Sequence, residues 1–154
     1  MVGINNKLIL VITIVLTLLV VGCSNNSQTD GNVVADTEHF VNVEKLEIYH
    51  FHGTNQCYSC ITVGAYAEET VNNYFADEIK SGKIIFGHIN GELLENKDLV
   101  MKYESTGSSL WLGTYSEDGK FSAEQNVKVW YKINDKQDYM NYLKGVIEQK
   151  LAGK

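Results

Sequence analysis

Cys57 and Cys60 are the residues of this 154-residue chain whose types and spacing point most directly to chemistry. They stand in the string Phe51-His52-Gly53-Thr54-Asn55-Gln56-Cys57-Tyr58-Ser59-Cys60. Two cysteines three apart at the start of a helix lie one turn apart on the same side. Their Cα atoms then fall within the roughly 4.4–6.8 Å that a disulfide needs. A helix N-terminus leaves backbone N–H groups unpaired, and its dipole favours a thiolate, so Cys57 is expected to be the nucleophile. It would attack a partner disulfide, and Cys60 would resolve the mixed disulfide. His52, five residues before Cys57, is expected to reach it as a proton acceptor or charge partner. His50 shares its face, being two residues away on a strand.

Other readings of the pair stay open. A purely structural bridge is one, although a turn this tight is an unusual place for it. Half of a metal site is another, but tetrahedral zinc needs four ligands and only histidines remain to supply them. Soft-ion capture, of trivalent arsenic or cuprous copper, needs fewer ligands and would use Cys57, Cys60 and His52. No resident metal and no cofactor are assigned. His88 reads as a buried, hydrogen-bonded histidine, His39 as solvated, and Glu68-Glu69 as a solvated helix face.

The elements that must position the dithiol follow from the pattern. Val43 to Phe51 reads as a strand, and Gly53-Thr54-Asn55-Gln56 as a loop. A long helix is expected from about Tyr58 to Lys80, with Cys60, Gly64, Ala67, Val71, Tyr74 and Phe75 on one face, ended by Ser81-Gly82. Lys83 to Ile89 is nearly continuously apolar, which suits a central strand. Asn96 to Tyr103 reads as a short helix with Leu99 and Val100 inward. Leu110 to Tyr115 is a strand, and Ser116 to Lys120 a turn with the Asp-Gly pair of hairpins. Val127 to Ile133 is the expected partner strand, although the pairing could begin at Phe121. Asp135 is a cap for a last helix with Tyr139, Tyr142, Leu143, Val146, Ile147 and Leu151 as its apolar stripe. Trp111 and Trp130 read as packing residues. The order β-α-β-α-β-β-α predicts an α/β, thioredoxin-like fold with a four-stranded mixed sheet flanked by helices.

Composition narrows the function. The chain has no Arg and no Pro, so all 13 basic residues are lysines, set against 19 acids. A formal charge of −6 and the lack of a guanidinium fork argue against nucleic acid. Three cysteines are too few for a disulfide-stapled scaffold, so an apolar core must carry the fold. Residues 1–22 read as an export signal. Lys7 is the only charge, and Leu8 to Val21 is apolar except for Thr13 and Thr17. That is long enough for a signal and short for a span, which needs roughly 20 residues. Gly22-Cys23 ends it in the manner of a lipoprotein cleavage box, with Cys23 lipidated. Residues 23–40 read as a flexible polar tether, and 41–154 as the thioredoxin-like domain. Removing residues 1–22 takes away Lys7 and no acid, leaving 12 lysines against 19 acids, or −7. Lipid rather than a basic patch would hold the domain at the extracytoplasmic face of the cell membrane.

Phe51-His52-Gly53-Thr54, Cys57-x-x-Cys60 and Phe75-Ala76-Asp77-Glu78-Ile79-Lys80-Ser81-Gly82-Lys83 resemble a thioredoxin-like family, the nitrophenyl compound nitroreductase subunit ArsF family, found with arsenic-resistance genes. The similarity spans roughly Leu46 to Leu151. It implies a thioredoxin fold, a redox-active Cys57/Cys60 pair, and electron delivery to a partner reductase. One departure stands out. Thioredoxins place a cis-proline opposite the dithiol, where this chain has Ser108-Ser109. A cis bond before a non-proline residue costs roughly 2.5–4 kcal/mol, so a trans peptide is expected and the substrate-side loop should differ. The buried acid usual beneath the dithiol is also missing, and His50 is the nearest residue to its place.

The leading expectation is a lipid-anchored, extracytoplasmic thiol–disulfide oxidoreductase served by a redox partner protein or a membrane thiol–disulfide reductase. A soft-metal or metalloid binding protein, and a non-catalytic interaction domain on the same scaffold, are the alternatives.

Overall fold

The computed structural model describes residues 42–154. The expected signal segment and the tether with Cys23 and His39 lie outside the described residues, which belong to one unit of the chain, Thr37–Lys154. Among the described residues no helix is long and apolar enough to cross a membrane.

Strand β1, Val43–His52, carries the fold because both of its faces are used. Leu46, Ile48 and His50 point to one side and Glu47, Tyr49 and Phe51 to the other, as a period of two requires. Leu46, Ile48, Phe51 and His50 are almost fully buried. Helix α1, Tyr58–Tyr74, follows, then the short α2, Ala76–Ser81, and strand β2, Ile84–Asn90. A 3-10 turn at Leu94–Asn96 leads into α3, Lys97–Tyr103. Strands β3, Ser109–Ser116, and β4, Phe121–Gln125, form a hairpin. A second 3-10 turn, Val127–Tyr131, precedes α4, Lys136–Leu151.

The sheet order is β2-β1-β3-β4. β1 and β2 run parallel, while β3 is antiparallel to both β1 and β4. One face packs against α1 and α4 through Leu46, Ile48, Val63, Ala67, Leu112, Leu143 and Ile147. The other face is aromatic. Tyr103 of α3, 1 % exposed, meets Tyr49, Phe51 and Phe121 edge-on or tilted at centroid distances of 5.4–5.5 Å. This mixed sheet flanked by helices is the expected thioredoxin-like architecture.

Three expectations are corrected. The long helix is broken at Phe75, whose backbone (φ −134°, ψ 31°) leaves the helical region. The Phe75 amide closes α1 on Val71, and its carbonyl accepts from Ile79 to open α2. The turn lets the Phe75 ring enter the core while Tyr74 swings outward, 39 % exposed. Burying a phenylalanine is worth about 2 kcal/mol or more, against about 1 kcal/mol for a helical hydrogen bond.

Second, β2 is an edge strand, not a central one. A β-α-β crossover places it beside β1, and β3 then takes β1's other side. Third, Val127 to Ile133 is not the hairpin partner. The tight turn closed by Gly119 N–H to the Ser116 carbonyl (2.8 Å) starts the pairing at Phe121. The Asn126 amide then bonds to Leu110 at the ladder's end, and Val127–Tyr131 coils so that Val129 is fully buried. Gly119 sits at φ 79°, a conformation that favours glycine. The Asp135 cap is present: its side chain accepts from the Asp138 amide at 3.0 Å. In α3 it is Tyr103, not Leu99 or Val100, that is fully buried.

Candidate functional site

Cys57 is the N-cap of α1, with φ −76° and ψ 164°, so the chain enters the helix extended and turns on the cysteine itself. Its Sγ accepts a hydrogen bond from the Cys60 amide at 3.2 Å. That bond uses one of the orphan donors of the first turn, and the positive end of the helix dipole adds to it. Cys57 and Cys60 form a disulfide, with Cα atoms 5.1 Å apart. Cys57 is exposed and Cys60 half-buried. The first sulfur is therefore reachable by a partner, and the second approaches it from inside. As a disulfide the pair offers no thiolates to a metal ion, and among the described residues no group of three or more His, Cys, Asp or Glu is arranged to hold one.

The loop before Cys57 is held by Asn90 and Glu92, which the sequence did not single out. The Thr54 amide donates to Glu92 Oε2 at 3.0 Å, and Asn90 Nδ2 donates to Thr54 Oγ1 at 3.1 Å. The Glu92 amide in turn donates to Asn90 Oδ1, and Gly91 N–H to the His52 carbonyl. The hydrogen bonds from Thr54 lower the Glu92 pKa. No spacing rule links residues 54 and 92. They meet because β1 and β2 are parallel and end side by side.

His52 does not contact either sulfur through a hydrogen bond. Its Nδ1 is 2.9 Å from the Gly53 carbonyl, and its ring stacks on His50 at 5.4 Å. It also lines, with Phe51, Gly53, Glu92, Val100 and Thr106, a cavity of about 200 Å³ beside the loop. Ser109 is turned inward, 3 % exposed. Its hydroxyl donates to the Gly107 carbonyl at 2.9 Å and accepts from Trp111 Nε1 at 3.0 Å. Its partner across the ladder is Phe51, one residue before His52. Ser108 is half-buried. Among the described residues no peptide bond is cis, the one before Ser109 included.

His50, which the sequence sets on the same strand face as His52, is the buried histidine of the site. It is 1 % exposed and lies against α1 at Gly64, one helical turn after Cys60. Its Nδ1 is 3.0 Å from Nδ1 of His88, directly across the β1–β2 ladder. Its Nε2 is buried with no hydrogen-bond partner. Burial, followed by the nearby His88 and His52, lowers its pKa to about 4, against an opposing pull from the Cys60 carbonyl. At neutral pH His50 is uncharged. His88 is exposed rather than buried, since β2 is an edge strand. Its Nε2 is 3.3 Å from Glu68 Oε2 on α1, so Glu68 is not only a solvated face.

Gly64 makes this approach possible. An alanine Cβ there would stand 2.6 Å from His50 Cε1 and 3.0 Å from Cγ. Alanine in place of helical glycine gains about 1 kcal/mol in propensity. Overpacking between a strand and a helix costs about 1–3 kcal/mol, and here the ring has a fixed strand on its other side. Gly64→Ala is therefore expected to lose up to about 2 kcal/mol net, measured by urea denaturation.

No protein-family model matches the chain. No curated protein matches it either. Among solved structures, the chain is similar to the Trx4 domain of ERdj5, at 15 % identity and a TM-score of 0.45, over 73 % of this chain and 88 % of that one.

Proposed function

We propose that the chain is an extracytoplasmic thiol–disulfide oxidoreductase, anchored by lipid on Cys23, that exchanges electrons through Cys57 and Cys60. One observation carries the reading: the exposed Cys57 caps α1 with its sulfur on a helix amide, and the half-buried Cys60 lies one turn behind it. In the reduced protein the Cys57 thiolate attacks a partner disulfide, forming a mixed disulfide and releasing one partner thiolate. Cys60 then attacks Cys57 Sγ, closing the Cys57–Cys60 bond and releasing the second. Two electrons pass to the partner, and a reductant of the dithiol class, protein-borne or in the membrane, returns them. Tyr58 and Ile61, 80 % and 54 % exposed beside the dithiol, offer an apolar surface for that partner. The resemblance to the ArsF family supports a reductase as the partner, reached at the membrane surface.

The pair's reduction potential, read by equilibration against glutathione or dithiothreitol, is expected between roughly −270 and −120 mV, the span of exchange-active dithiols. A value below roughly −300 mV would mark a resistant structural bridge and sink the proposal. The anchor has its own test. Cys23→Ser is expected to abolish incorporation of labelled palmitate into the expressed protein. Undiminished labelling would remove Cys23 as the lipid site.

A further inference from the structure

Two strands end the sheet, and they are finished differently. β4 carries Glu124, which pairs with Lys150 of α4 at 2.9 Å, and Lys120 stands just before it. Charges of this kind blunt an edge against further pairing. β2 has no such protection. Ile84-Ile85-Phe86-Gly87-His88-Ile89-Asn90 contains no Lys, Asp, Glu or Pro, and it pairs with β1 over its whole length without a bulge. Ile85 remains 37 % exposed on it.

The ladder decides which backbone groups of β2 face outward. The Leu46 amide donates to the Lys83 carbonyl, and the Gly91 amide donates to the His52 carbonyl. In a parallel pair the bonded residues alternate, so Lys83, Ile85, Gly87, Ile89 and Gly91 turn their backbone groups toward β1. Ile84, Phe86 and His88 turn theirs away. Among the described residues no hydrogen bond reaches those outward groups.

The strand is also complementary to itself. About a two-fold axis at Phe86, with the copies antiparallel, Phe86 meets Phe86 of the other copy and Ile84 meets His88. All three outward residues then fall on hydrogen-bonded pairs, which exchange two N–H···O bonds each. Ile85 lies opposite Gly87 of the other copy. Gly87 has no side chain, and the Tyr49 ring is so near that a Cβ there would stand 3.3 Å from it. Each Ile85 thus finds a gap over glycine and an aromatic ring to pack on. Charge favours the same direction. Lys80, in the last turn of α2, and Lys83 stand at the start of β2, and neither is ion-paired among the described residues. Glu68, 3.3 Å from His88, stands at its far end. Antiparallel pairing sets the acidic end of one copy beside the basic end of the other, whereas parallel pairing would set like beside like.

We propose that the chain forms a two-fold dimer through β2, with Phe86 on Phe86 and Ile84 on His88. The two four-stranded sheets become one continuous sheet that ends in β4, the charged edge, on both sides. A two-fold contact uses the same edge of both copies, so the assembly closes at two. Cys57 and Cys60 lie at the start of α1, not on β2, so this pairing stands apart from the exchange reading above.

The test is sedimentation equilibrium of the full chain in a density-matched detergent, with micelles in excess. The wild type is expected to weigh as a dimer at about 10–100 µM. His88→Pro removes an outward amide on an edge strand, where proline is tolerated, and no bond to β1. It is expected to raise the dimer dissociation constant at least about tenfold, while His88→Ala, which keeps the amide, changes it less than about threefold. Ile85→Lys, at an exposed position, is expected to raise it at least about tenfold, by losing apolar contact and bringing like charges together. Far-UV circular dichroism melts check that the variants fold; should His88→Pro not fold, Ile85→Lys carries the test. A wild type that stays monomeric to about 100 µM overturns the proposal, whether residues 23–41 or another protein occupy the edge instead. A dimer that survives both His88→Pro and Ile85→Lys uses another surface and overturns it too. Equal weakening in His88→Ala and His88→Pro would report the side chain rather than the strand amide, and would also overturn it.

Discussion

Cys57→Ser is expected to reduce dithiol exchange to the uncatalysed background, a loss of at least about 10³-fold, whereas Cys60→Ser should retain the first step and accumulate a mixed disulfide. The difference follows from position. Cys57 is exposed and holds the capping site, where the Cys60 amide and the helix dipole stabilise negative charge on sulfur. A serine hydroxyl in that cap accepts the same amide but does not ionise at neutral pH and forms no bond that a thiol can resolve. Cys60 is half-buried behind it and needs only to reach Cys57. Mass spectrometry of each variant after reaction with a glutathione disulfide checks both halves. A glutathione adduct on Cys57→Ser in place of Cys60→Ser would reverse the assignment of nucleophile and resolving thiol.

The second large effect lies on the sheet's other face. Glu47 is 5 % exposed, yet its carboxylate is fully engaged. Lys45 Nζ meets Oε1 at 2.9 Å, and Lys102 Nζ meets Oε2 at 2.9 Å. The hydroxyls of Tyr103 and Tyr115 donate to Oε2 at 2.9 and 3.0 Å. Lys102 also contacts the Tyr115 hydroxyl. Burial works against ionisation of Glu47, but the donors from Lys45, Lys102, Tyr103 and Tyr115 outweigh it and bring the pKa from 4.5 down to about 2. Glu47→Ala leaves two ammonium groups and two hydroxyls facing a void. The expected loss is about 3 kcal/mol, near the low end for a broken buried pair because both lysines are about one-third exposed.

The same carboxylate makes stability depend on acid. The unfolded chain takes up the proton near 4.5 and the folded protein only near 2. The contribution is thus complete above pH 4.5 and is lost as pH falls toward 2, to a total of about 3 kcal/mol. Thermal melts of wild type and Glu47→Gln at pH 2, 4 and 7 check this. The two curves are expected to converge at pH 2, and parallel curves would show that Glu47 is not the group responsible. The cluster ties α3 to β1 and β3, and so holds the aromatic face on which Tyr103, Phe51 and Trp111 pack.

The chain spells out some of this directly. Cys57 and Cys60, the strand before them and the helix after them are local features, governed by spacing within a few residues. The same holds for the Asp135 cap, the Asp118-Gly119 turn and the apolar stripe Tyr139–Leu143–Ile147. The order of strands and helices follows from that local pattern, and with it the mixed four-stranded sheet.

Other features depend on partners far along the chain. The apolar run at Ile84–Ile89 looks the same in an edge strand as in a central one, and only the crossover beside β1 decides which it is. The break at Phe75 reflects competition between a helical hydrogen bond and burial of a ring, and the burial term exists only once the core is assembled. Val127 to Ile133 alternates like a strand, but the hairpin register is already used up by Phe121–Gln125. Glu47 carries no mark in sequence of Lys102, Tyr103 and Tyr115, 55 to 68 residues away, which hold its carboxylate together with the neighbouring Lys45. Nor do His50, Gly64, Glu68 and His88 show any common motif. They converge because parallel pairing sets His50 beside His88, and because a glycine in α1 lets a strand histidine press against the helix that carries the dithiol. The sequence by itself determined the reactive pair and the elements that present it. The tertiary structure alone decided which groups surround that pair, because hydrogen bonds and burial act over ångströms in space, not over residue number.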